Sequence, residues 1–528
     1  MRAFVPILFT SLFVHTGALK FLAYNPQFGK SHVNFFSKLA DALVDAGHEV
    51  VMLSPRTDVF VGAPKTKARV IEVDQCAYTA AFMNQMASEE GTMAGVWKST
   101  NVFKQLITAF RPLFKAYNHQ CNATLSNTAL MQRLRDEKFD AGFAENIDNC
   151  GYAIFYQLGI KKYATAFSMA FMDGYYLVTQ TPASTAYVPS LYGGMYGDRM
   201  TFMQRLYNTL VHLTADHLLL EHDMDRFQEI AVSVGRISET SCLLHRLVFL
   251  NSDPLIDFPK LTSARVIDIG GIVVHDGYKK LDENWSTILS LRNHTIFISF
   301  GTWVKGHLMP QEYKETIRRT IKNFPDVTFI WKYEKPEDNI SDGLDNVVET
   351  TWAPQTDLLH DGRLTAFITH GGQGSITEAA NAGVPLICIP VTCDQLRNGR
   401  AVERNGVGIM IEKDALASEK PLEDAISAIL NENRFHLSAK KMAQMIEDRP
   451  FAMKEVFVRN MEFLAKYGPL NQLQHYGSKL SLIEYYLIDV FAFIVLSVFV
   501  IIFAIMFTGV KLLSTLINFV SIRKLKTQ

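Results

Sequence analysis

The densest piece of chemistry in this sequence is Phe367-Ile368-Thr369-His370-Gly371-Gly372-Gln373-Gly374-Ser375, a β-branched run ending in a histidine and three closely spaced glycines. Glycines at a strand-to-helix turn let the backbone approach a ligand closely. The helix that follows opens with unpaired N–H groups and a partial positive charge, which together make an anion site. Glu378 falls one turn inside that helix, where a carboxylate accepts hydrogen bonds from ribose hydroxyls. A second group of interest is Gly29-Lys30-Ser31-His32, which puts an imidazole at a helix start. The positive end of a helix biases an imidazole toward its neutral form, able to take a proton near pH 7. Each signal has a plainer explanation when taken alone. Glycine turns also serve tight packing in many α/β folds, and a lone histidine at a helix start is more often a structural hydrogen-bonder.

Both groups need strand-to-helix junctions, and the hydrophobic patterning supplies them. Lys20–Tyr24 reads as a short strand, 31–46 as a helix with apolar Val33, Phe36, Leu39, Ala40, Leu43 and Val44 on one face, and Glu49–Leu53 as a second strand. This βαβ unit is the building block of a parallel sheet. A second series begins near Thr295: strand 295–299, helix 312–323, strands 328–331, 347–351 and 366–369, helix 375–381, strand 384–389 and a helix after Asp394. Two α/β domains with a crevice at the carboxyl ends of their strands follow, with the boundary between Asp257 and Asn284. The stretch from about 80 to 225 is richer in helix signals and aromatics.

The chain has 528 residues, enough for two cores, and a formal net charge of −1. Balanced charge and the lack of a basic stripe interleaved with aromatics exclude a nucleic-acid partner. Residues 1–18 have the form of a signal peptide: Arg2, an apolar run, and a small-residue cleavage site after Ala18. Leu487 to Val510 is almost wholly apolar and long enough to cross a bilayer. Lys511, Arg523, Lys524 and Lys526 follow it and favour the cytoplasmic side, leaving the large N-terminal part in the lumen. Lys524 and Lys526 also resemble a dilysine retrieval signal. Sequons begin at Asn122, Asn284, Asn293 and Asn339. The six cysteines show no zinc spacing, their pairing is not readable, and Cys388 reads as a small core residue.

The whole segment from Trp352 to Gln395, with His370-Gly371-Gly372, Ser375, Glu378, Pro385-Leu386-Ile387, Pro390 and Asp394-Gln395, resembles the signature of the UDP-glycosyltransferase family, closest to the membrane-bound UDP-glucuronosyltransferases. The resemblance implies a GT-B fold: two Rossmann-like domains facing a cleft, here with one C-terminal transmembrane helix. It implies sugar transfer with inversion, with no metal and no cofactor beyond the co-substrate, UDP-glucuronate or UDP-glucose. Carried over by position, Trp352 stacks on uracil, Gln355 lies near the ribose, and Glu378 holds the ribose. His370, Thr302, the backbone at Gly372 and Gly374, and Ser375 meet the diphosphate, while Asp394 and Gln395 bind the sugar. Many relatives carry Asn where this chain has Gly374. His32 stands where the family has its general base. Glu145 stands where the family has an Asp partner, with Asp148 as an alternative, and Lys332 is one candidate cation for a glucuronate carboxylate.

These readings divide the chain into a signal peptide (1–18), an acceptor-binding domain (19–270), a UDP-sugar-binding domain (285–450), C-terminal helices (451–484), a transmembrane helix (487–510) and a cytoplasmic tail (511–528). The expected partners are a UDP-sugar, a small lipophilic acceptor and the endoplasmic reticulum membrane, with homo-oligomerisation left open. The rival class is a catalytically silent lumenal protein that only binds small ligands.

Overall fold

The structure is a computed structural model that describes residues 17–58, 61–88, 91–99, 111–145, 147–171, 173, 176, 181, 183–194, 196–214, 247–274, 277–474 and 476–525. The signal-peptide reading therefore falls almost wholly outside the described residues, as do 101–110 and 215–246 of the aromatic-rich middle and Lys526 of the tail.

The first sheet has seven parallel strands: β1 (Lys20–Tyr24), β2 (Glu49–Pro55), β3 (Arg69–Val73), β4 (Ala141–Glu145), β5 (Tyr163–Phe167), β6 (Val248–Leu250) and β7 (Val266–Asp268), ordered β3-β2-β1-β4-β5-β6-β7. The second has six: β8 (His294–Ser299), β9 (Val327–Lys332), β10 (Val347–Thr350), β11 (Leu364–Thr369), β12 (Leu386–Cys388) and β13 (Gly408–Met410), ordered β10-β9-β8-β11-β12-β13 and again all parallel. Parallel strands need crossovers that cover both faces, so their residues are apolar without alternation; Phe21–Tyr24 and Phe367–Thr369 are buried throughout. In each sheet the order reverses once, between β1 and β4 and between β8 and β11. Loops leaving the carboxyl ends of such a pair diverge and open a crevice.

Sequence patterning located β8 to β12 of the second sheet to within one or two residues at most ends, as expected where caps decide the boundary, and missed the edge strand β13. In the first sheet it located only β1, the helix α1 (Lys30–Asp45) and β2. The intervening chain forms α2 (Ala77–Ala87), α3 (Thr92–Lys98) and α4 (Arg111–Leu125) before β4. Helix α5 (Cys150–Leu158) follows β4 and is tied to α4 by the Cys121–Cys150 disulfide. Cys388 is fully buried, as a core residue should be.

One apolar cluster runs through both halves, joining Phe28, Trp97 and Tyr117 to Ile298, Phe300 and Trp331. Two helices of the second half matter below: α6 (Gln373–Ala382) and α7 (Gln395–Arg404). The segment read only as a lead to the membrane also closes the first core. Its helix α8 (Met453–Tyr467) sends Phe457, Met461 and Leu464 beneath the first sheet, with the Phe457 ring 4.9 Å from Phe249.

Residues 474–528 form a separate unit. Its helix α9 (Ile488–Leu525) is apolar enough over Ile488–Val520 to cross a membrane, and it is the one such helix among the described residues. It continues past the expected end at Val510 because no proline interrupts it, so Lys511 lies within the helix rather than in a tail.

Candidate active site

His32 is the third residue of α1, directly after β1 and the turn at Gly29. Gly29 caps the helix at φ 59°, and a Cβ there would meet His32 Cδ2 at 3.1 Å, so glycine suits both the turn and the ring. Glu145 is the last residue of β4, the neighbouring strand, and its Oε1 and Oε2 lie 2.9 and 3.0 Å from His32 Nδ1. An ionised carboxylate only accepts, so Nδ1 carries the proton and Nε2 keeps a lone pair. Asp148 is engaged elsewhere: Tyr24 Oη donates to its Oδ2 at 2.7 Å and Cys150 N to its Oδ1 at 2.9 Å. The geometry thus pairs His32 with Glu145.

Burial alone would lower the His32 pKa, but the Glu145 carboxylate, with Asp394 farther off, outweighs it and holds the imidazole above its ordinary value. The bias toward the neutral form expected from the helix end is therefore overcome. A full carboxylate charge at hydrogen-bond distance is a stronger neighbour than the partial charge of a helix terminus.

In the second half, α6 begins at Gln373, two residues before the expected start at Ser375, with Gly372 as its cap and Gly374 inside its first turn. His370 sits between two glycines: a Cβ at Gly301 (φ +86°) would approach His370 Cε1 to 2.7 Å, and one at Gly372 would approach Nε2 to 2.5 Å. Burial, assisted by the Lys332 charge, pushes His370 down to about 4. Near pH 7 it is therefore a neutral hydrogen-bonding group and not a cation.

Gln355 Nε2 donates to Glu378 Oε2 at 3.1 Å and to Ser375 Oγ at 3.3 Å. Burial raises the Glu378 pKa, partly offset by the hydrogen bonds from Gln355 and Thr356. Trp352 is 60 % exposed at the end of β10, an open face for stacking, and Thr302 is exposed on the turn after Gly301. A Cβ at Gly374 would meet nothing within 4 Å, so the position is open.

Asp394 and Gln395 lie at the start of α7. Asn398, one turn on, donates to Asp394 Oδ2 at 2.8 Å and to Gly371 O at 3.1 Å, tying the turn at Asp394 to the glycine turn. Gln395 Oε1 accepts from Val391 N and Thr392 N at 2.8 and 3.0 Å, so this oxygen braces its own turn. Burial raises the Asp394 pKa, while the Asn398 amide and His32 pull the other way. His32 and Asp394 bear on each other electrostatically across the two sheets, so the two halves of the expected site do meet.

Two participants escaped the sequence reading. Ser168, next after β5, donates to Glu145 Oε1 from both Oγ (2.5 Å) and N (3.1 Å), and its Oγ lies 2.5 Å from His32 Nδ1. The available signal was a first polar residue beyond a buried strand. For Asn398 it was the four-residue spacing from Asp394 on a helix.

Comparison with known proteins agrees with this geometry. The family model described as UDP-glucoronosyl and UDP-glucosyl transferase matches residues 24–524. A Caenorhabditis elegans protein named as UDP-glucuronosyltransferase ugt-47 is 29% identical over 493 residues, covering 90% of this chain and 89% of its own. Human UDP-glucuronosyltransferase 1A9 is 27% identical over 475 residues, covering 88% and 86%. Among solved structures, the glycosyltransferase of kitacinnamycin superposes with a TM-score of 0.57 at 16% identity, covering 86% of this chain and all of that one. The glycosyltransferase VinC, solved with DTDP, superposes with a TM-score of 0.54 at 16% identity, covering 85% and 100%. The fold is GT-B.

Proposed function

The chain belongs to the family of UDP-glucuronosyl and UDP-glucosyl transferases, and from that premise we propose that it transfers a sugar with inversion from a UDP-sugar to a hydroxyl of a small lipophilic acceptor, with His32 as general base. The observation that carries this reading is the Glu145 carboxylate at 2.9 and 3.0 Å from His32 Nδ1, which leaves Nε2 to act.

The acceptor O–H proton passes to His32 Nε2 while its oxygen bonds to the anomeric carbon. The bond from that carbon to the diphosphate oxygen breaks, and UDP departs from the opposite face with the electron pair. Glu145 stabilises the imidazolium as it forms, and Ser168 keeps the carboxylate in place. Trp352 stacks on uracil, Gln355 and Glu378 hold the ribose, and the opening N–H groups of α6, with His370, Thr302 and Ser375, take the diphosphate charge. Asp394 and Gln395 orient the sugar. A positioned base contributes about 10²–10⁴-fold in rate.

The relatives' names favour UDP-glucuronate as donor. One observation favours a neutral sugar such as glucose: three cations of the second half, Lys332, Arg397 and Lys413, already have partners. Lys332 Nζ donates to Gly301 O at 2.7 Å, Arg397 pairs with Asp257 at 2.5 Å, and Lys413 Nζ donates to backbone carbonyls. The α9 helix anchors the chain in the endoplasmic reticulum membrane with the catalytic halves in the lumen, an oxidising compartment that suits the Cys121–Cys150 disulfide.

The deciding experiment gives the detergent-solubilised chain a panel of UDP-sugars and a phenolic acceptor, alongside calorimetry with UDP. Glycoside formation from one donor and UDP binding are expected. Slow hydrolysis of a UDP-sugar would also support the enzyme, whereas binding of apolar ligands by a chain that neither transfers from nor hydrolyses any UDP-sugar would establish the silent binder instead.

A further inference from the structure

Lys413 follows β13 in the second half and is only 5 % exposed. Its ammonium donates to three backbone carbonyls: Val96 O at 2.7 Å, Ser99 O at 2.5 Å and Val391 O at 3.1 Å. Three donors thus meet three acceptors, with no carboxylate in the set. Val96 and Ser99 end α3 in the first half, where a cation complements the exposed carbonyls of a helix terminus. Val391 begins the turn that presents Asp394 and Gln395 in the second half. The N–H of Val391 goes to Gln395 Oε1, so its carbonyl goes to Lys413 while its N–H goes to the sugar turn.

The same contact is braced by Trp97, whose Nε1 donates to Lys305 O at 3.1 Å and whose ring meets Phe300 edge-on at 5.3 Å. Burial pushes the Lys413 amine down to about 8. Keeping an ammonium in such a place is costly unless its hydrogen bonds are made. A methionine would fill the same space without that cost, so bulk alone does not explain the lysine.

We propose that Lys413 is a positioning residue that latches α3 of the acceptor half to the turn carrying Asp394 and Gln395, setting that turn opposite His32. The latch rests on the donor and base assignments above. It acts on the register between the halves and not on UDP, whose contacts all lie in the second half. Without it, Asp394 and Gln395 remain but no longer hold the sugar in line with the acceptor oxygen, and water competes for the anomeric carbon.

The test uses full-length Lys413→Met and Lys413→Arg in detergent. For Lys413→Met, UDP affinity by calorimetry is expected within twofold of the wild type. Its kcat for transfer is expected to fall at least tenfold, and the ratio of UDP-sugar hydrolysis to transfer to rise at least fivefold. Lys413→Arg, which keeps charge and donors, should recover part of both. A parallel loss of UDP binding and transfer would reduce Lys413 to fold support, and an unchanged hydrolysis ratio would overturn the latch. Should Lys413→Met fail to fold, Trp97→Phe removes the neighbouring donor while keeping a ring; an unchanged ratio in that variant is equally fatal. Wild-type transfer with an indifferent Lys413→Met removes the latch alone, whereas a wild type that binds no UDP removes the functional reading with it.

Discussion

Two sheets that share a strand order over six strands each place a histidine beside the point where that order reverses, and the two rings sit in opposite electrostatic surroundings. His32 follows β1 and receives a carboxylate from the end of β4; His370 follows β11 and faces the bare backbone of Gly301 from the turn after β8, with Thr369 Oγ1 3.3 Å from its Nδ1. Burial pushes both pKa values down. At His32 the Glu145 and Asp394 charges more than compensate, whereas at His370 the Lys332 charge adds to the fall and the pKa drops to about 4. Topology therefore supplies a place for an imidazole, and the adjacent strand end decides its charge. One ring is held toward its protonated form and the other toward its neutral form.

The contrast is best broken at the rings themselves. His32→Ala should lower kcat by about 10²–10⁴-fold, the usual contribution of a positioned base. UDP affinity measured by calorimetry should stay within about twofold if that role is right. Loss of UDP binding together with turnover would make His32 a structural residue and erase the distinction. His370→Ala should do the reverse. Losing one hydrogen bond to a charged group costs about 1.5–3 kcal/mol, so UDP should bind roughly 10–100-fold more weakly.

Glu145→Gln sharpens the comparison by making the surroundings of His32 resemble those of His370. With that carboxylate gone, the raised His32 pKa must fall, and the acidic limb of kcat/KM should move to lower pH. Although more of the imidazole is then neutral at pH 7, kcat should still drop about tenfold or more, because the imidazolium formed in the transition state loses its partner. A pH profile that does not move would show that Glu145 does not set the charge of His32.

The halves also differ in how far their sites could be read in advance. Trp352, Gln355, His370, Ser375, Glu378, Asp394 and Gln395 lie within a single run of chain, so the family signature names them together, while strand and helix patterning alone picks out the glycine turn and Glu378. The base and its partner are 113 residues apart, and Ser168 is 23 residues beyond Glu145. No local pattern links them. Strands β3 to β7 and β13 went unread because short buried strands lack periodicity, and the helices between β3 and β4 obscure the βαβ rhythm. Lys332 illustrates the same limit: its charge was legible, but not its engagement by Gly301 O and Glu334.

The order of residues alone determined the α/β class, the nucleotide-type turn at His370, the apolar C-terminal helix and the family, because each is written in short-range spacing. Tertiary structure decided that Glu145 and not Asp148 meets His32, that Cys121 pairs with Cys150, that α8 returns to the first core, and that Lys413 bridges the halves. Those contacts form only when strand ends distant along the chain are brought side by side, and the charge on a buried group depends on every neighbour it then acquires.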